Sequence, residues 1–396
     1  MSVYETIEVC HFLNGHRGGV YHVVRNLVHY SHDSRICNKI VYVIETERFP
    51  DWSPVSIGLD CSEIVFRYSR LENLNHVFRR LASTISTKAI LVAHDWFELG
   101  MVSHLGIPNR LIYFLHGNYA YYYGLLEKHL AQMDAVLCVS QRSYRQLVEF
   151  RALDTRFHHF RFPVKDFTAE KKNFSTLHIA VIAENLLDPN KGLSLVKEIN
   201  SAMVGYSIPV VWHLAGNGFE GGDLEKWWGT KSNLPIYYGY LEQSQLENFY
   251  AQANIFLLPS QNEGVPVTLV ESMKAGLIPV IAGWSDNVTD LVDNGRTGYI
   301  LENSSPASYA EILMKIHQDP SQASQISLNA SSLSSDLYNP CKQVEEFEAY
   351  AINLTPVSTR RKAMVYGSRL DAWWVPNMAS IFLRSLKSKW KILFFQ

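Results

Sequence analysis

The sequence predicts an α/β protein of two domains, each built on a parallel β-sheet covered by helices. Short runs rich in β-branched and aromatic residues alternate with helical patterns along most of the chain, as in parallel sheets. The alternation stops once, at residues 162–173, where FPVKDFTAEKKN combines a proline with a cluster of charges. With 396 residues, the chain is long enough for two domains of ordinary size.

The first half of the chain contains six predicted strands and four predicted helices. The strands are predicted at residues 7–13, 39–44, 63–68, 89–93, 110–115 and 135–139. The helices are predicted at residues 20–30, 71–86, 118–131 and 141–151. We assign this half to an N-terminal domain of residues 1–165.

A second series of strands follows the break. These strands are predicted at residues 177–183, 209–215, 236–239, 254–258, 278–281 and 298–301. They define a C-terminal domain of residues 174–345, followed by a helical, basic and aromatic tail of residues 346–396. Ligands of open parallel sheets bind beyond the carboxyl ends of the strands, so we expect a site in the cleft between the two sheets.

Composition excludes several classes of protein. A formal net charge of -2 argues against a globally basic nucleic-acid binder, and 47% hydrophobic residues with 19% charged residues indicate a soluble, core-forming chain. The five scattered cysteines predict reduced thiols in a cytosolic protein rather than disulfides or a zinc site. Glu5 and Glu8 within the first apolar stretch argue against a signal peptide, and no apolar run is long enough to predict a membrane span.

The most informative segment, residues 259–276, carries the carboxylates Glu263 and Glu271 across a loop that leads into a helix. We expect Glu263 and the free amides of Gly264 and Val265 to lie at the helix N-terminus, which attracts anions and hydroxyl-rich ligands. If the helix began at Glu263, the two carboxylates would share one side about 12 Å apart. A sugar linked to a nucleoside spans such a distance.

The sequence resembles the retaining glycosyltransferases of the GT-B fold, specifically the large family four. The resemblance covers nearly the whole chain, through Asn14-Gly15-His16-Arg17-Gly18-Gly19, His116-Gly117, Lys191-Gly192, Gly216-Asn217-Gly218 and the two glutamates. The specific part is the paired-glutamate segment with Met273-Lys274-Ala275-Gly276 and Pro279-Val280 after it. The resemblance implies two Rossmann-like domains facing each other across a cleft, the first binding an acceptor and the second a nucleotide sugar.

In the N-terminal domain, Gly18 and Gly19 follow the first strand at a turn into a helix, where backbone can approach a phosphate or sugar closely. A plain tight turn remains an alternative; the resemblance implies a loop between donor diphosphate and acceptor. For His116, at a strand end, the resemblance implies contact with the donor sugar, and a structural histidine is the alternative. His94, Asp95 and Tyr119 are acceptor-side candidates with structural roles equally open. The tyrosines at 119–123 favour either sugar stacking or packing between domains.

In the C-terminal domain, Lys191 opens a helix from which its ammonium can reach a diphosphate, although an ordinary surface lysine has the same spacing. The resemblance assigns Gly216, Asn217 and Gly218 to phosphate or sugar approach and Tyr240 to the base region. It also assigns Glu263 to donor-sugar hydroxyls and Glu271 to the ribose diol.

The chain departs from the family pattern at one position. Most relatives have an arginine where this chain has Glu184. A carboxylate repels a diphosphate, so we expect Glu184 to turn away and Arg17 to supply the missing positive charge from the opposite domain.

No metal or cofactor is required by the motifs. The sequence has no D-x-D pair, and we expect Asp286, Asp290 and Asp293 to be spaced along a helix rather than around an ion. The nucleotide-diphosphate sugar is then a substrate, and the predicted enzyme is metal-independent.

The tail combines basic and aromatic residues. Residues 360–396 contain one acidic residue, Asp371, and eight basic ones: Arg360, Arg361, Lys362, Arg369, Arg384, Lys387, Lys389 and Lys391. Leu383, Leu386, Trp390 and Leu393 recur at helical spacing, as in helices that lie on an anionic membrane surface. A last helix packed back on the first domain is the alternative.

The resemblance, together with these observations, implies a retaining hexosyltransferase that uses a nucleotide sugar and a glycan or lipid-linked oligosaccharide acceptor in cell-surface polysaccharide or lipopolysaccharide biosynthesis. We expect it in the cytoplasm, with peripheral association at the inner face of the plasma membrane. A nucleotide-sugar epimerase of the same fold, a non-catalytic partner subunit and a membrane-surface or glycan-binding module remain alternatives. The sequence does not name the sugar, the base or the acceptor.

Overall fold

The computed structural model describes residues 6–54, 61–150, 154–169, 171–206, 208–230, 232–261, 263–283, 288–356 and 366–394, without the side chains of Phe150 and of residues 387–394. Its two sheets are both entirely parallel. Each strand is followed by a connection that returns over the sheet, as parallel pairing requires.

The N-terminal sheet has seven strands. They are β1 (Ile7–Leu13), β2 (Ile36–Glu45), β3 (Ser62–Tyr68), β4 (Ile90–Ala93), β5 (Leu111–Leu115), β6 (Ala135–Cys138) and β7 (Phe157–His159). Their order is β3-β2-β1-β4-β5-β6-β7, so the order reverses beside β1. The central strands β4, β5 and β6 are wholly buried. Helices cover both of their faces, which explains their continuous apolar sequences.

Five helices cover this sheet: α1 (Gly19–His29), α2 (Leu74–Ala82), α3 (Trp96–Leu105), α4 (Ala120–His129) and α5 (Gln141–Phe150). Helix α2 is shorter than predicted at both ends, and it begins only at Leu74 because the Asn73 side chain caps it by accepting a hydrogen bond from the Asn75 amide. Helix α3 and strand β7 were not predicted. Eight of the ten α3 residues are buried, so the helix shows no polar face and no helical period in its sequence.

The C-terminal sheet has six strands in the order β10-β9-β8-β11-β12-β13. They are β8 (Leu177–Asn185), β9 (Val210–Asn217), β10 (Ile236–Tyr237), β11 (Ile255–Leu258), β12 (Ile278–Ala282) and β13 (Tyr299–Leu301). The accompanying helices are α6 (Leu193–Val204), α7 (Asp223–Trp228), α8 (Gln243–Ala251), α9 (Val267–Lys274), α10 (Pro306–Gln318) and α11 (Pro320–Leu337). Every predicted strand is present, each end within three residues of its prediction.

Helix α12 (Pro340–Ile352) leaves the C-terminal sheet and packs on the N-terminal domain. Its Glu348 accepts hydrogen bonds from the Ser31 hydroxyl at 2.5 Å and from the Asp33 amide at 3.3 Å. The Phe347 ring lies 5.8 Å from the His11 ring. The chain therefore crosses between the domains twice, and the boundaries assigned from the sequence stay predictions.

Both crossings meet at one buried lysine. Lys274, at the end of α9, donates to the Val164 carbonyl at 2.7 Å, to Asp166 Oδ1 at 2.7 Å and to the Tyr338 carbonyl at 2.9 Å. Val164 and Asp166 belong to the outgoing linker, and Tyr338 precedes the returning helix α12. The lysine of the family-like segment thus has a structural role here.

The tail ends in α13 (Asn377–Phe394). Arg360, Arg361 and Lys362 lie outside the described residues, as do the side chains of Lys387, Lys389, Trp390, Lys391 and Leu393. Within the described part of the chain, no helix has both the length and the apolar character needed to span a membrane.

Candidate active site

Two cavities lie on either side of the glycine loop between β1 and α1. The first, which we call the N-domain cavity, has a volume of about 300 Å³. Its lining includes Asn14, His16, Gly18, Gly19, Phe49, Tyr68, His94, Asp95, Trp96, Glu98, Tyr122 and Glu184. The second, the interdomain cavity, has a volume of about 80 Å³ and is lined by residues including Arg17, Gly18, Gly19, His22, Glu184, Gly216, Tyr240, Thr268 and Glu271.

Gly18, Gly19 and Glu184 line both cavities and form the wall between them. A Cβ atom at Gly18 would lie 2.7 Å from Glu184 Oε2, and one at Gly19 would lie 3.3 Å from Val267 Cγ2. Side chains at these positions would therefore press against the opposite domain. The glycines allow the backbone of one domain to meet side chains of the other, whereas an approach to a phosphate or sugar stays a prediction.

Glu184, at the end of β8, reaches across the cleft to this loop. Its Oε1 lies 3.3 Å from His16 Nδ1 and accepts a hydrogen bond from the Arg17 amide at 3.3 Å. The expectation that Glu184 turns away from the cleft is wrong, because the free amide and the imidazole at the start of α1 provide partners for its carboxylate. These contacts hold its pKa below the usual value despite burial, which acts in the opposite direction.

Arg17 reaches partners in both domains. Its Nη2 donates to the Ser53 carbonyl at 2.6 Å, and its Nη1 lies 3.7 Å from Glu242 Oε1. The Tyr240 hydroxyl donates to the Arg17 carbonyl at 3.4 Å. These contacts place Arg17 and Tyr240 together in the wall of the interdomain cavity, whereas compensation for Glu184 by Arg17 stays a prediction.

Lys191 and Glu263 form an ion pair, with Nζ 2.5 Å from Oε1. Lys191 ends a short 3-10 helix, Pro189–Lys191, and Glu263 lies in the loop after β11. The two segments are joined by a hydrogen bond of 2.8 Å from the Gln261 amide to the Asn190 carbonyl. Gly192 has φ +68°, and a Cβ there would lie 2.3 Å from the Pro259 carbonyl oxygen, so close approach of the segments requires glycine.

The loop that carries Glu263 contacts the His116 motif of the other domain. A Cβ at Gly264 would lie 2.2 Å from the His116 carbonyl oxygen, a separation that side chains do not adopt. Helix α9 begins only at Val267, after Pro266. The helical projection from Glu263 to Glu271 is therefore wrong. Val265 is buried in the apolar core instead of facing a cavity.

Glu271 lies on α9 with 1% of its surface exposed. Its Oε2 accepts a hydrogen bond of 3.1 Å from the Tyr250 hydroxyl, while its Oε1, within the described part of the chain, has no hydrogen-bond partner. Burial raises the pKa of Glu271 to about 7, although Tyr250 and Gln243 offset part of that rise. A buried carboxylate oxygen beside a cavity is suited to accept hydrogen bonds from a ligand.

His94 and His116 lie at the ends of β4 and β5, as predicted, and their rings meet. His94 Nδ1 is 2.7 Å from His116 Nε2, and the His116 ring stacks on Phe114. Burial lowers the pKa of His116 to about 3 and that of His94 well below its usual value, which a neighbouring imidazole lowers further. Both rings are therefore neutral near pH 7, and one donates to the other.

Asp95 caps helix α3. Its Oδ1 accepts from the Trp96 amide at 2.7 Å and from the Tyr121 hydroxyl, and its Oδ2 accepts from Asn14 Nδ2 at 3.2 Å. Glu98 completes a capping box, since its Oε1 accepts from the amides of His94 and Asp95 at 2.6 Å each. Burial raises the pKa of Glu98 to about 8.

Glu98 and His22 also line the cavities, although neither was predicted from the sequence. The D-x-x-E spacing of a capping box was visible in the sequence and could have identified Glu98 together with α3. His22 lies one helical turn after Gly18, and its amide donates to the Gly18 carbonyl at 3.3 Å. No motif distinguishes this histidine from other helical residues.

The remaining predicted residues are only partly brought together. Gly216 lines the interdomain cavity, and its φ of +136° leaves a Cβ only 1.9 Å from the Ala183 carbonyl oxygen. Asn217 and Gly218 are exposed beyond it and line neither cavity. Tyr119 packs on Gly117 and lines neither cavity, while Tyr122 lines the N-domain cavity.

Asp290 and Asp293 do not lie on the predicted helix. Asp286 lies outside the described residues, while Asp290 lies in a turn and Asp293 in irregular structure. They pair with Arg161 at 3.0 Å and Arg296 at 2.9 Å. The described residues contain no group of three or more histidine, cysteine or acidic side chains able to hold a metal ion.

Comparison with known proteins assigns part of the C-terminal domain to a family. A family model described as glycosyl transferases group 1 matches residues 181–332, the part that carries Lys191, Glu263 and Glu271. The D-inositol 3-phosphate glycosyltransferase of Streptomyces avermitilis is 31% identical over 84 residues. The amylovoran biosynthesis glycosyltransferase AmsK of Erwinia amylovora is 30% identical over 86 residues.

These sequence matches are partial. The aligned segments cover 21% and 20% of this chain, and they span only 18% of the Streptomyces protein and 21% of AmsK. Residues 181–332 match the glycosyl transferases group 1 family. The family resemblance predicted from the sequence is confirmed for this segment.

Solved structures extend the likeness to both domains. Sucrose-phosphate synthase of Thermosynechococcus elongatus superposes with a TM-score of 0.70 at 13% identity, covering 88% of this chain and 99% of that chain. Anabaena HepE in complex with UDP and glucose gives 0.66 at 15% identity, covering 87% and 99%. The fold is GT-B, as the sequence predicted, with two Rossmann-like domains.

Proposed function

We propose that this protein is a retaining glycosyltransferase that moves a sugar from a nucleotide diphosphate to a hydroxyl group of a glycan acceptor. The observation that carries the proposal is the shared wall of Gly18, Gly19 and Glu184, with one cavity on each side. A donor whose ribose reaches Glu271 in the interdomain cavity would have its diphosphate at this wall, close to the cavity of the acceptor. The Glu184 carboxylate would then have to leave the Arg17 amide, because it would repel the phosphates.

The nucleoside end of the donor would occupy the interdomain cavity. Glu271 supports a ribose site because its Oε1 is buried beside the cavity and no hydrogen bond of normal length reaches it from the described residues. The two hydroxyl groups of a ribose diol would donate to this carboxylate, and such charged hydrogen bonds are stronger than neutral ones. Backbone groups near Tyr240 would contact the base of the nucleotide.

The diphosphate and sugar would engage Lys191 and Glu263. In their present ion pair, each neutralises the other at 2.5 Å. On donor binding, the Lys191 ammonium would face the diphosphate, and Glu263 would accept hydrogen bonds from sugar hydroxyls. Negative charge grows on the leaving phosphate as the glycosidic bond breaks, so Lys191 and the amides of the glycine loop would stabilise the transition state more than the ground state.

The acceptor would enter the N-domain cavity. Phe49, Tyr68 and Trp96 offer aromatic faces there, and Asp95 offers a carboxylate to hydroxyl groups. This combination fits a carbohydrate. A role in cell-surface polysaccharide biosynthesis is supported by the name of AmsK, which assigns that relative to amylovoran biosynthesis.

Proton transfer and metal use complete the proposal. The leaving phosphate itself would accept the proton of the acceptor hydroxyl, and His116 would orient the donor sugar. The diphosphate charge would be neutralised by Lys191 and backbone amides, so transfer should continue in a chelator. Complete loss of activity there, restored by magnesium, would contradict this part of the proposal.

A panel of nucleotide sugars tests the function. We expect one donor to raise the melting temperature and to be consumed with release of nucleoside diphosphate when a panel of glycan acceptors is added. The Glu263→Ala variant should lose transfer by about 100-fold or more, because it removes a group that holds the reacting sugar. Glu346→Ala, on the exposed side of α12, is the matched control and should retain full activity.

Three results would contradict the proposal. Wild-type turnover in Glu263→Ala with unchanged melting would remove this residue from the site. Release of a free epimerised sugar without acceptor would indicate the epimerase alternative. Nucleotide binding without any donor consumption would indicate a non-catalytic subunit, the alternative that Glu184 favours because it places a carboxylate at the glycine loop.

A further inference from the structure

The tail of the chain exposes an unusual amount of apolar surface. Trp373, Trp374 and Met378 have 74%, 68% and 75% of their surfaces exposed. Phe382, Leu383 and Leu386 are exposed by 63%, 47% and 40%. We call these six side chains the tail patch. Elsewhere in the described chain, exposed large apolar side chains are scattered along the sequence, and single ones of this kind are ordinary in soluble proteins.

The polar side of the same segment is attached to the N-terminal domain. Asn377 accepts a hydrogen bond of 2.7 Å from the Asn73 amide and donates to Glu72 at 3.2 Å. Arg384 pairs with the buried Asp371 at 2.6 Å. Ser380 is fully buried and donates to the Leu370 carbonyl at 2.7 Å.

Helical geometry separates these two sets. At about 100° per residue, Met378, Phe382, Leu386 and Leu383 fall within roughly 140° of arc on α13, and the polar Asn377, Ser380 and Arg384 fall on the opposite side. An amphipathic helix of a soluble domain normally buries its apolar side. Here the polar side is bound and the apolar side is exposed, which indicates an apolar partner outside the fold.

Charge distinguishes the candidates for that partner. Arg384 is paired with Asp371, but Lys387, Lys389 and Lys391 follow it, and residues 372–396 contain no acidic residue. Pairing of two copies through this segment would bring like charges together in an interface without compensating acids, which is unfavourable. A surface that is apolar inside and negatively charged outside complements both the patch and the lysines.

We propose that the tail patch docks this protein on anionic lipid bilayers, with the apolar side chains among the acyl chains and the net positive charge of the segment attracted to the headgroups. Trp373 and Trp374 suit the interface, where tryptophan combines an apolar ring with a polar N–H group. The attachment through Asn377, Ser380 and Arg384 fixes the patch to the N-terminal domain, so docking orients the whole molecule.

Vesicle sedimentation of the full chain tests this inference. We expect binding to vesicles of phosphatidylcholine with phosphatidylglycerol and much weaker binding to phosphatidylcholine alone. Binding should weaken when salt is raised from about 0.1 M to about 1 M, since the screening length falls from about 10 Å to about 3 Å. The triple variant Trp373→Ser, Trp374→Ser and Phe382→Ser should bind anionic vesicles at least about tenfold less tightly.

A matched control separates the patch from general surface apolarity. Leu328→Ser on α11 removes a side chain that is 62% exposed, far along the chain from the patch, and should leave vesicle binding unchanged. The triple variant should keep the wild-type melting temperature and nucleotide-induced stabilisation, because the replaced side chains are largely exposed. Nucleotide binding is measured separately, so failure of docking is distinguishable from failure of the glycosyltransferase proposal.

Several outcomes would overturn the inference. One is a wild-type chain that does not sediment with anionic vesicles. Another is a triple variant that sediments with them as well as the wild type does. A concentration-dependent dimer that Phe382→Ser dissociates, without vesicle binding, would show that the patch is a contact between copies. Binding that does not distinguish anionic from neutral vesicles would remove the role of the lysines.

Discussion

Glu263 and Glu271 form one motif in the sequence, yet their surroundings differ. Glu263 has a cationic partner at 2.5 Å, whereas Glu271 is buried beside Tyr250. Burial disfavours the charged form of Glu271 and raises its pKa to about 7. The two carboxylates therefore respond differently to pH and to substitution.

Nucleotide affinity should depend on the charge of Glu271. As the pH falls below about 7, Glu271 takes up a proton and accepts hydrogen bonds less well, so wild-type affinity for the nucleoside diphosphate should fall. Glu271→Gln should bind about 1–3 kcal/mol more weakly and lose this pH dependence, which calorimetry with UDP and other nucleoside diphosphates would measure. Unaltered affinity in Glu271→Gln would exclude a ribose role, and Glu346→Gln serves as the control.

Lys191 should affect binding and chemistry together. Its partner charge grows as the leaving group departs, so Lys191→Ala should raise the donor dissociation constant and also lower kcat. Steady-state kinetics with the identified donor would measure both. Lys226→Ala is a suitable control, since this lysine is exposed and pairs with the exposed Asp223 at 3.5 Å. An unchanged kcat in Lys191→Ala would show that the lysine contributes to donor binding alone.

At the scale of elements, the sequence predicted strands better than helices. Buried parallel strands appear in the sequence as apolar runs that end at turn residues, and every strand predicted in this way is present. Helix α3 was not predicted because it is buried on nearly all sides, so its sequence lacks the alternation of apolar and polar residues at helical spacing. Helix α9 begins after Pro266, and local spacing could not show that the preceding loop packs on the other domain.

This loop contact gives a prediction at Gly264. Gly264→Ala should prevent the Glu263 loop from meeting His116, because the new Cβ would lie 2.2 Å from a carbonyl oxygen. We expect transfer to fall by about 100-fold, the effect of a misplaced reacting group, while circular dichroism shows both domains folded.

The control is Gly124→Ala on α4. Open space surrounds Gly124, and alanine favours a helix, so this variant should be as active as the wild type and slightly more stable. Full activity in Gly264→Ala would show that the loop contact has no part in catalysis.

At the scale of the whole molecule, Lys274 joins the two crossings between domains. The sequence marked this lysine only as part of a family-like segment, since its partners Val164 and Tyr338 are distant in the chain. Interdomain contacts of this kind depend on tertiary placement. Glu184 is a second example. Its charge predicted that it would turn away from the site, but it contacts the glycine loop of the opposite domain.

Removing the Lys274 amine should weaken the whole fold. Lys274→Met leaves buried carbonyl groups without a donor, so we expect a loss of about 2–4 kcal/mol in the free energy of unfolding, measured by denaturant titration. Lys165→Met is the control, because Lys165 makes a partly exposed pair with Glu247 at 3.6 Å and should cost no more than about 1 kcal/mol. Equal effects of the two substitutions would contradict a special role for Lys274.

The wall of Gly18, Gly19 and Glu184 belongs to both cavities, and this has a thermodynamic consequence. A ligand that shifts the wall from one side changes the shape and charge met by a ligand on the other side. The two occupancies are then coupled, and by linkage each ligand alters the affinity of the other by the same factor. The change in donor affinity caused by the acceptor must therefore equal the change in acceptor affinity caused by the donor, whichever ligand is added first.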